Sequence, residues 1–194
     1  MYSSTYQTIV PTATRYTEIP AQYRFAWVAE DWVLGRVQST MGNSGQKGWP
    51  LLNKSSLAIE IAHFQALQRH EDTIGRWTQR ICSEQQSMGI SFNNLSGSPS
   101  QTVFARILDA APLKKLVAQL QKLDLYLTGN GQGPLRTTNR FSMTIADGLP
   151  ADGFENLLYR LGKLEFNDQV QINKLELQKK EKHNWKTIRQ FYFS

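Results

Sequence analysis

One cysteine, Cys82, stands in 194 residues. A lone thiol excludes an internal disulfide framework. It has no partner at metal-ligand spacing, and no two of the 3 histidines, His63, His70 and His183, pair with a cysteine or carboxylate at such spacing. No metal or other cofactor is expected, and a reduced cytoplasmic setting is the simplest reading. Residues 1–20 lack a basic start followed by an apolar run, so no signal peptide is expected. No apolar stretch approaches the length of a bilayer span, so no membrane contact is expected. The glycine-rich GNSGQKGWP (42–50) lacks the order of a phosphate-binding P-loop and has no strand–loop–helix frame around it.

What is present suffices for one ordinary core. The chain is 40% hydrophobic and 11% aromatic, and its length suits one domain or two intimate lobes. The net charge of +6, from 22 basic and 16 acidic residues, permits a polyanionic partner without requiring one. The densest basic run, KKEKHNWK (Lys179 to Lys186), lies between two strand-like runs. It reads as a solvated hairpin tip, with a phosphate-attracting rim as the alternative.

Residues 1–20 read as an N-terminal arm, and 21–194 as a single bilobal domain. QYRFAWVA (22–29) is a strand and EDWVLGRVQSTM a helix. SLAIEIAHF (56–64) is a strand. The helix 65–86 follows, with Ile74, Trp77 and Ile81 at helical spacing. GISFNNLSG and TVFARIL are strands joined by a short turn. APLKKLVAQLQKLDLYL is a helix with Pro112 near its start and Leu113, Leu116, Val117 and Leu120 on one face. A loop at 128–139 leads to the strand RFSMTIADG and the helix PADGFENLLYRLGKL, with Asp152 near its N-terminus and Asp147 in the turn before it. VQINKLELQKK and NWKTIRQFYF read as a closing hairpin.

The order strand, helix, strand, strand occurs over about 56–108 and again over about 141–193. Ala58-Ile59-Glu60-Ile61-Ala62 matches Ser142-Met143-Thr144-Ile145-Ala146 at an offset of 84 residues. That offset is too long for a solenoid repeat and reads as a duplicated module. The expected fold is α+β, with two pseudo-symmetric β-α-β-β lobes whose antiparallel sheets surround a central cleft. Strand alternation puts Ile59, Ile61, Met143 and Ile145 under the helices. It puts Ala58, Glu60, Ala62, Ser142, Thr144 and Ala146 toward the cleft. His63 is then expected on the face opposite Glu60.

FSMTIADGLP and LAIEIAHF, with SGSPSQTVFARI and the closing VQINKLELQKKEKHNWKTIRQFYF, resemble the two-histidine phosphoesterase superfamily. That superfamily includes bacterial 2'-5' RNA ligase-like proteins and cyclic phosphodiesterases, and the resemblance extends over residues 22–193. It implies an H-x-T motif on each of two pseudo-symmetric strands. One imidazole would serve as base and the other as acid, with the threonines holding phosphate. This chain departs at three of the four positions: Ala58 and Ser142 replace the histidines and Glu60 a threonine, while Thr144 is kept. A serine hydroxyl does not exchange protons near neutral pH as imidazole does, and alanine offers no group. Each such role is worth about 10²–10⁴ in rate, so little of the family reaction is expected to survive. Glu60 would repel a phosphodiester unless Arg140 or Arg136 pairs with it, or it is protonated.

The expected function is a catalytically degenerate descendant, a pseudoenzyme. It would bind a nucleotide, an RNA end or another small ligand around Glu60, Ser142, Thr144, Arg140 and Trp49. Trp49 is a candidate base-stacking ring. Tyr126 and Phe141 are candidates too, though Phe141 reads more readily as core. The alternatives are an RNA ligase or 2',3'-cyclic phosphodiesterase with a rebuilt acid–base site, and a structural or protein-interaction module. His70 and His183 read as surface residues. Trp27, Trp32, Trp77 and Trp185 read as core or cleft-wall packing. Oligomeric state has no signature in the sequence.

Overall fold

The strand β1 (Ala21–Val28) shows how the two faces divide. Tyr23, Phe25 and Trp27 enter the main core, while Ala26 and Val28 form a small separate apolar cluster with Ala58 on the other face. The computed structural model describes residues 18–42, 57–138, 140–147, 150, 151, 154, 155, 158, 159 and 166–194. Most of the N-terminal arm, Trp49 and Asp152 lie outside these residues.

After β1 come α1 (Asp31–Gly42), β2 (Ala58–Ala66), a single 3-10 turn (Gln68–His70), α2 (Glu71–Ser83), β3 (Met88–Ser98) and β4 (Thr102–Ile107). Then follow α3 (Ala111–Gly129), β5 (Arg136–Thr137), β6 (Ser142–Ala146), β7 (Gln169–Ile172), β8 (Lys174–Glu181) and β9 (Asn184–Tyr192). Ala151, Phe154, Glu155, Leu158 and Tyr159 are helical, in the stretch where a helix is expected. The architecture is α+β: a curled antiparallel sheet forms a half-barrel, and no described helix is long and apolar enough to cross a membrane.

The helices follow their sequence signals. Acidic Glu71 and Asp72 open α2 and Arg80 closes it, which suits the helix dipole. Ile74, Thr78, Ile81 and Cys82 of α2 are buried, but Trp77 is 41% exposed. At 3.6 residues per turn the buried stripe centres near Thr78, and Trp77 lies about a quarter-turn outside it. Along α3, Leu113, Leu116, Val117, Leu120, Leu123 and Leu127 face the sheet. Pro112 sits in its first turn, where no intrahelical N–H is needed.

The strand order is β7-β3-β4-β6-β2-β1-β8-β9, with β5 also paired to β2. Four strands lie on each side of the β2–β6 junction, where Ala58 pairs with Thr144 and Ile59 with Met143. One side holds β3, β4, β6 and β7, all from the middle of the chain. The other joins β1 and β2 to β8 and β9. The run VQINKLELQKK differs from its expected role as one hairpin strand. Only Asn173 separates β7 from β8, yet β7 pairs with β3 and β8 with β1 and β9. The chain changes partners there, and Phe193 N–H donates to the Asn173 carbonyl at 2.8 Å. A one-residue link between strands on opposite sides of the junction requires the sheet to curl. The basic run does end a hairpin, with its tip at Lys182 and His183, both exposed.

Candidate functional site

Neither matched strand alternates strictly. Phe25 is opposite Ala62 and Ala26 is opposite Glu60, so Ile61 is the extra residue of a β-bulge. In β6 the same break recurs: Val103 is opposite Ala146 and Phe104 opposite Thr144, leaving Ile145 extra. Each bulge turns two successive side chains, isoleucine and alanine, into the core. Ala62 and Ala146 therefore leave the cleft face on which alternation places them. Beyond the bulge, β2 resumes with its phase reversed.

The reversal brings His63 to the cleft. Its Nδ1 lies 2.8 Å from Glu60 Oε1, so the two side chains share one face. This corrects the expectation of opposite faces. By the same offset, His63 corresponds to Asp147, whose Oδ1 accepts a 2.6 Å hydrogen bond from Thr102 Oγ1.

The four motif positions share the sheet face away from the main core. Ala58 is buried against Ala26 and Val28, and Thr144 is its cross-strand partner. Ser142, half-buried, lies opposite Arg106 of β4. No imidazole stands at Ala58 or Ser142. The floor between the two halves is thus small and apolar at Ala58, with hydroxyls at Ser142 and Thr144. Ile59, Ile61, Met143 and Ile145 are core residues, as expected.

Glu60 is partnered, but not by Arg140 or Arg136. Arg24 Nη1 approaches Glu60 Oε2 at 3.8 Å from the neighbouring strand. Arg140 is exposed, and its backbone N–H donates to Thr138 Oγ1 at 3.2 Å. Arg24 itself is largely buried. Its Nε donates to Gln178 Oε1 at 2.8 Å, and its guanidinium carbon lies 4.4 Å from the centre of the Trp185 ring. Burial lowers the Arg24 pKa to about 10, against the opposing pull of Glu60 and Glu176. It remains a cation at neutral pH.

Further along this face Glu176 is also buried and well satisfied. Thr187 Oγ1 donates to it at 2.6 Å and Gln190 Nε2 at 3.0 Å, while Lys174 Nζ lies 3.5 Å away. Glu30, Asp31, Trp32, Lys174 and Glu176 border a cavity of about 690 Å³. A second cavity, of about 390 Å³, lies between the end of β2 and the loop before β5. Glu60, His63, Gln65, Gly133, Arg136 and Trp185 are among its walls.

The remaining candidates are dispersed. His70 Nδ1 and the Tyr126 hydroxyl are 2.9 Å apart at the base of α2. Phe141 is buried in the core. Trp27 is buried, Trp185 half-buried, and Trp32 is 49% exposed. No group of three or more His, Cys, Asp or Glu suited to a metal ion occurs among the described residues. Sequence reading missed Arg24, His63 and Trp185 as neighbours. The repeated Ile-Ala after Glu60 and after Thr144 was the available signal, because two successive apolar residues break strand alternation.

The fold has counterparts among solved structures. Escherichia coli LigT complexed with 3'-AMP superposes with a TM-score of 0.63 at 10% identity, covering 91% of this chain and 99% of that one. The fold is that of LigT. LigT complexed with NADP+ matches with a TM-score of 0.63 at 12% identity, over 91% of this chain and 99% of LigT. TT0787 of Thermus thermophilus matches at 0.60 and 11% identity, over 89% of this chain and 97% of its own. No protein-family model and no curated protein matches the chain. At such identities the LigT likeness establishes the fold, and the chemistry has to be argued from the residues.

Proposed function

We propose that the chain descends from 2'-5' RNA ligase-like and cyclic phosphodiesterase-like phosphoesterases. In this reading it has lost the two-imidazole reaction and binds a nucleotide or RNA end in the cleft. One observation carries the reading. All 3 histidines of the chain are accounted for, and only His63 shares the face of Glu60. His70 is held by Tyr126, and His183 is at a hairpin tip. An in-line displacement with an imidazole on each side of phosphorus has no second imidazole to use. Solved structures of LigT with 3'-AMP and with NADP+ support a nucleotide as the ligand class.

The test is hydrolysis of a short RNA ending in a 2',3'-cyclic phosphate. Wild type should give no turnover above the blank. The triple variant Ala58→His, Glu60→Thr, Ser142→His should gain activity if the scaffold still presents the motif positions. A second reading has one observation in its favour, the 2.8 Å Glu60–His63 pair, which could serve as a single acid–base unit. Turnover by wild type that Glu60→Gln or His63→Gln abolishes would establish that reading and overturn the first.

A further inference from the structure

The Ala58–Ser142 floor has hydroxyls at Ser142 and Thr144 but an apolar centre. At its centre Ala58, Ala26 and Val28 form a small buried apolar cluster, which offers a phosphate no donor. The 390 Å³ cavity is different. The bulge at Ile61 delivers His63 to its wall, and the pairing of β2 with β5 sets Arg136 directly opposite His63. Gly133 lets the loop lie close against β2, with its N–H donating to the Gln65 carbonyl at 2.9 Å. Trp185 supplies an aromatic wall, braced by Arg24 beneath it.

Glu60 also borders the cavity, but its charge is not isolated. Arg24 and His63 both lie against its carboxylate. A cavity of this size falls within the usual range of about 300–1,000 Å³ for small-molecule sites. Guanidinium and imidazole donors suit a terminal phosphate, and an indole suits a base.

We infer that the phosphate of a nucleoside monophosphate, free or at an RNA 3' end, seats between His63 and Arg136, with its base against Trp185. The seat is displaced along β2 from the Ala58–Ser142 floor. This rests on the nucleotide-binding reading above and adds where the ligand sits and which residues choose it. Base and phosphate contribute separately. Adenosine 3'-monophosphate therefore binds at least about tenfold more tightly than adenosine or inorganic phosphate, a step of about 1.4 kcal/mol.

The experiment is calorimetric titration of the full chain with adenosine 3'-monophosphate, adenosine, inorganic phosphate and a pentanucleotide ending in a 3'-phosphate. Arg136→Gln, an exposed position, and His63→Gln should each weaken the nucleotide about tenfold. Trp185→Leu should weaken the nucleotide and adenosine but leave inorganic phosphate unchanged. Arg106→Gln should have no effect. Thermal melts of each variant separate lost binding from lost folding. A pentanucleotide that binds more tightly than the mononucleotide identifies an RNA end as the source, and equal affinity identifies a free nucleotide; both support the seat. Binding that survives Arg136→Gln and His63→Gln but fails in Arg106→Gln and Thr144→Val overturns the seat and leaves the nucleotide reading standing. No binding of any nucleotide by wild type overturns both.

Discussion

Arg24 keeps its charge with only 10% of its side chain exposed, because Gln178, Glu60 and the Trp185 ring replace part of its water. Tyr23, on the opposite face of the same strand, is held another way. Its hydroxyl donates to Glu71 Oε1 at 2.7 Å, beside Lys179 Nζ at 2.9 Å from the same oxygen. Burial and the Glu71 carboxylate raise the Tyr23 pKa. Burial alone pushes the Cys82 thiol from its ordinary 9.0 up to about 12. The unfolded chain therefore gives up the Cys82 proton first. Stability from this group is full below pH 9.0 and is lost as pH rises toward about 12. Tyr23 acts in the same direction, while the lowered Arg24 favours the folded state as pH rises above about 10. Thermal melts from about pH 9 upward should show a falling midpoint, with a shallower fall in Cys82→Ala. Native protein should react with a thiol reagent far more slowly than urea-unfolded protein, because the thiol is buried and protonated.

At the scale of elements, the loop before β5 depends on Gly133. A Cβ there would stand 3.2 Å from Gln65 Cβ and 3.3 Å from the Gln65 backbone nitrogen and oxygen. Strand backbone cannot move aside as a side-chain end can. Gly133→Val should lower stability by about 1–2 kcal/mol in urea titration. It should also speed exchange of the amide that bonds the Gln65 carbonyl. Strands and helices of one steady period were legible from sequence: the aromatic alternation of 22–29 and the leucine stripe of α3. The bulges were not, because alternation assumes one residue opposite one residue. A bulge depends on the partner strand. His63 was misplaced for this reason, and Arg24 was overlooked because its link to Glu60 exists only once β1 lies beside β2. The break at Asn173 was hidden in the same way, since both flanking segments have strand character and only their partners differ.

Among the described residues, two features of the sheet join its two sides, besides the shared core. One is the β2–β6 junction; the other is the strand that changes partners at Asn173. The middle of the chain supplies one side of the half-barrel. The other side needs β1 and β2 together with β8 and β9. A chain ending at Ile172 would leave the β8-facing edge of β1 unpaired and the Phe25–Leu177 register without its second half. Such a chain should show no cooperative thermal transition by circular dichroism, and a peptide of residues 173–194 added in trans should restore one.

The same topology orders events during synthesis. Domains tend to fold from the N-terminus as the chain emerges. Here β1 and β2 emerge early and wait for β8 and β9, which follow every other described strand. Arg24 has neither Gln178 nor Trp185 beside it until then. The Trp185 wall is thus translated after every strand from β1 to β7. A growing chain on the ribosome exposes the open edge of β1 until β8 emerges, a window in which a chaperone would have a strand edge to cover.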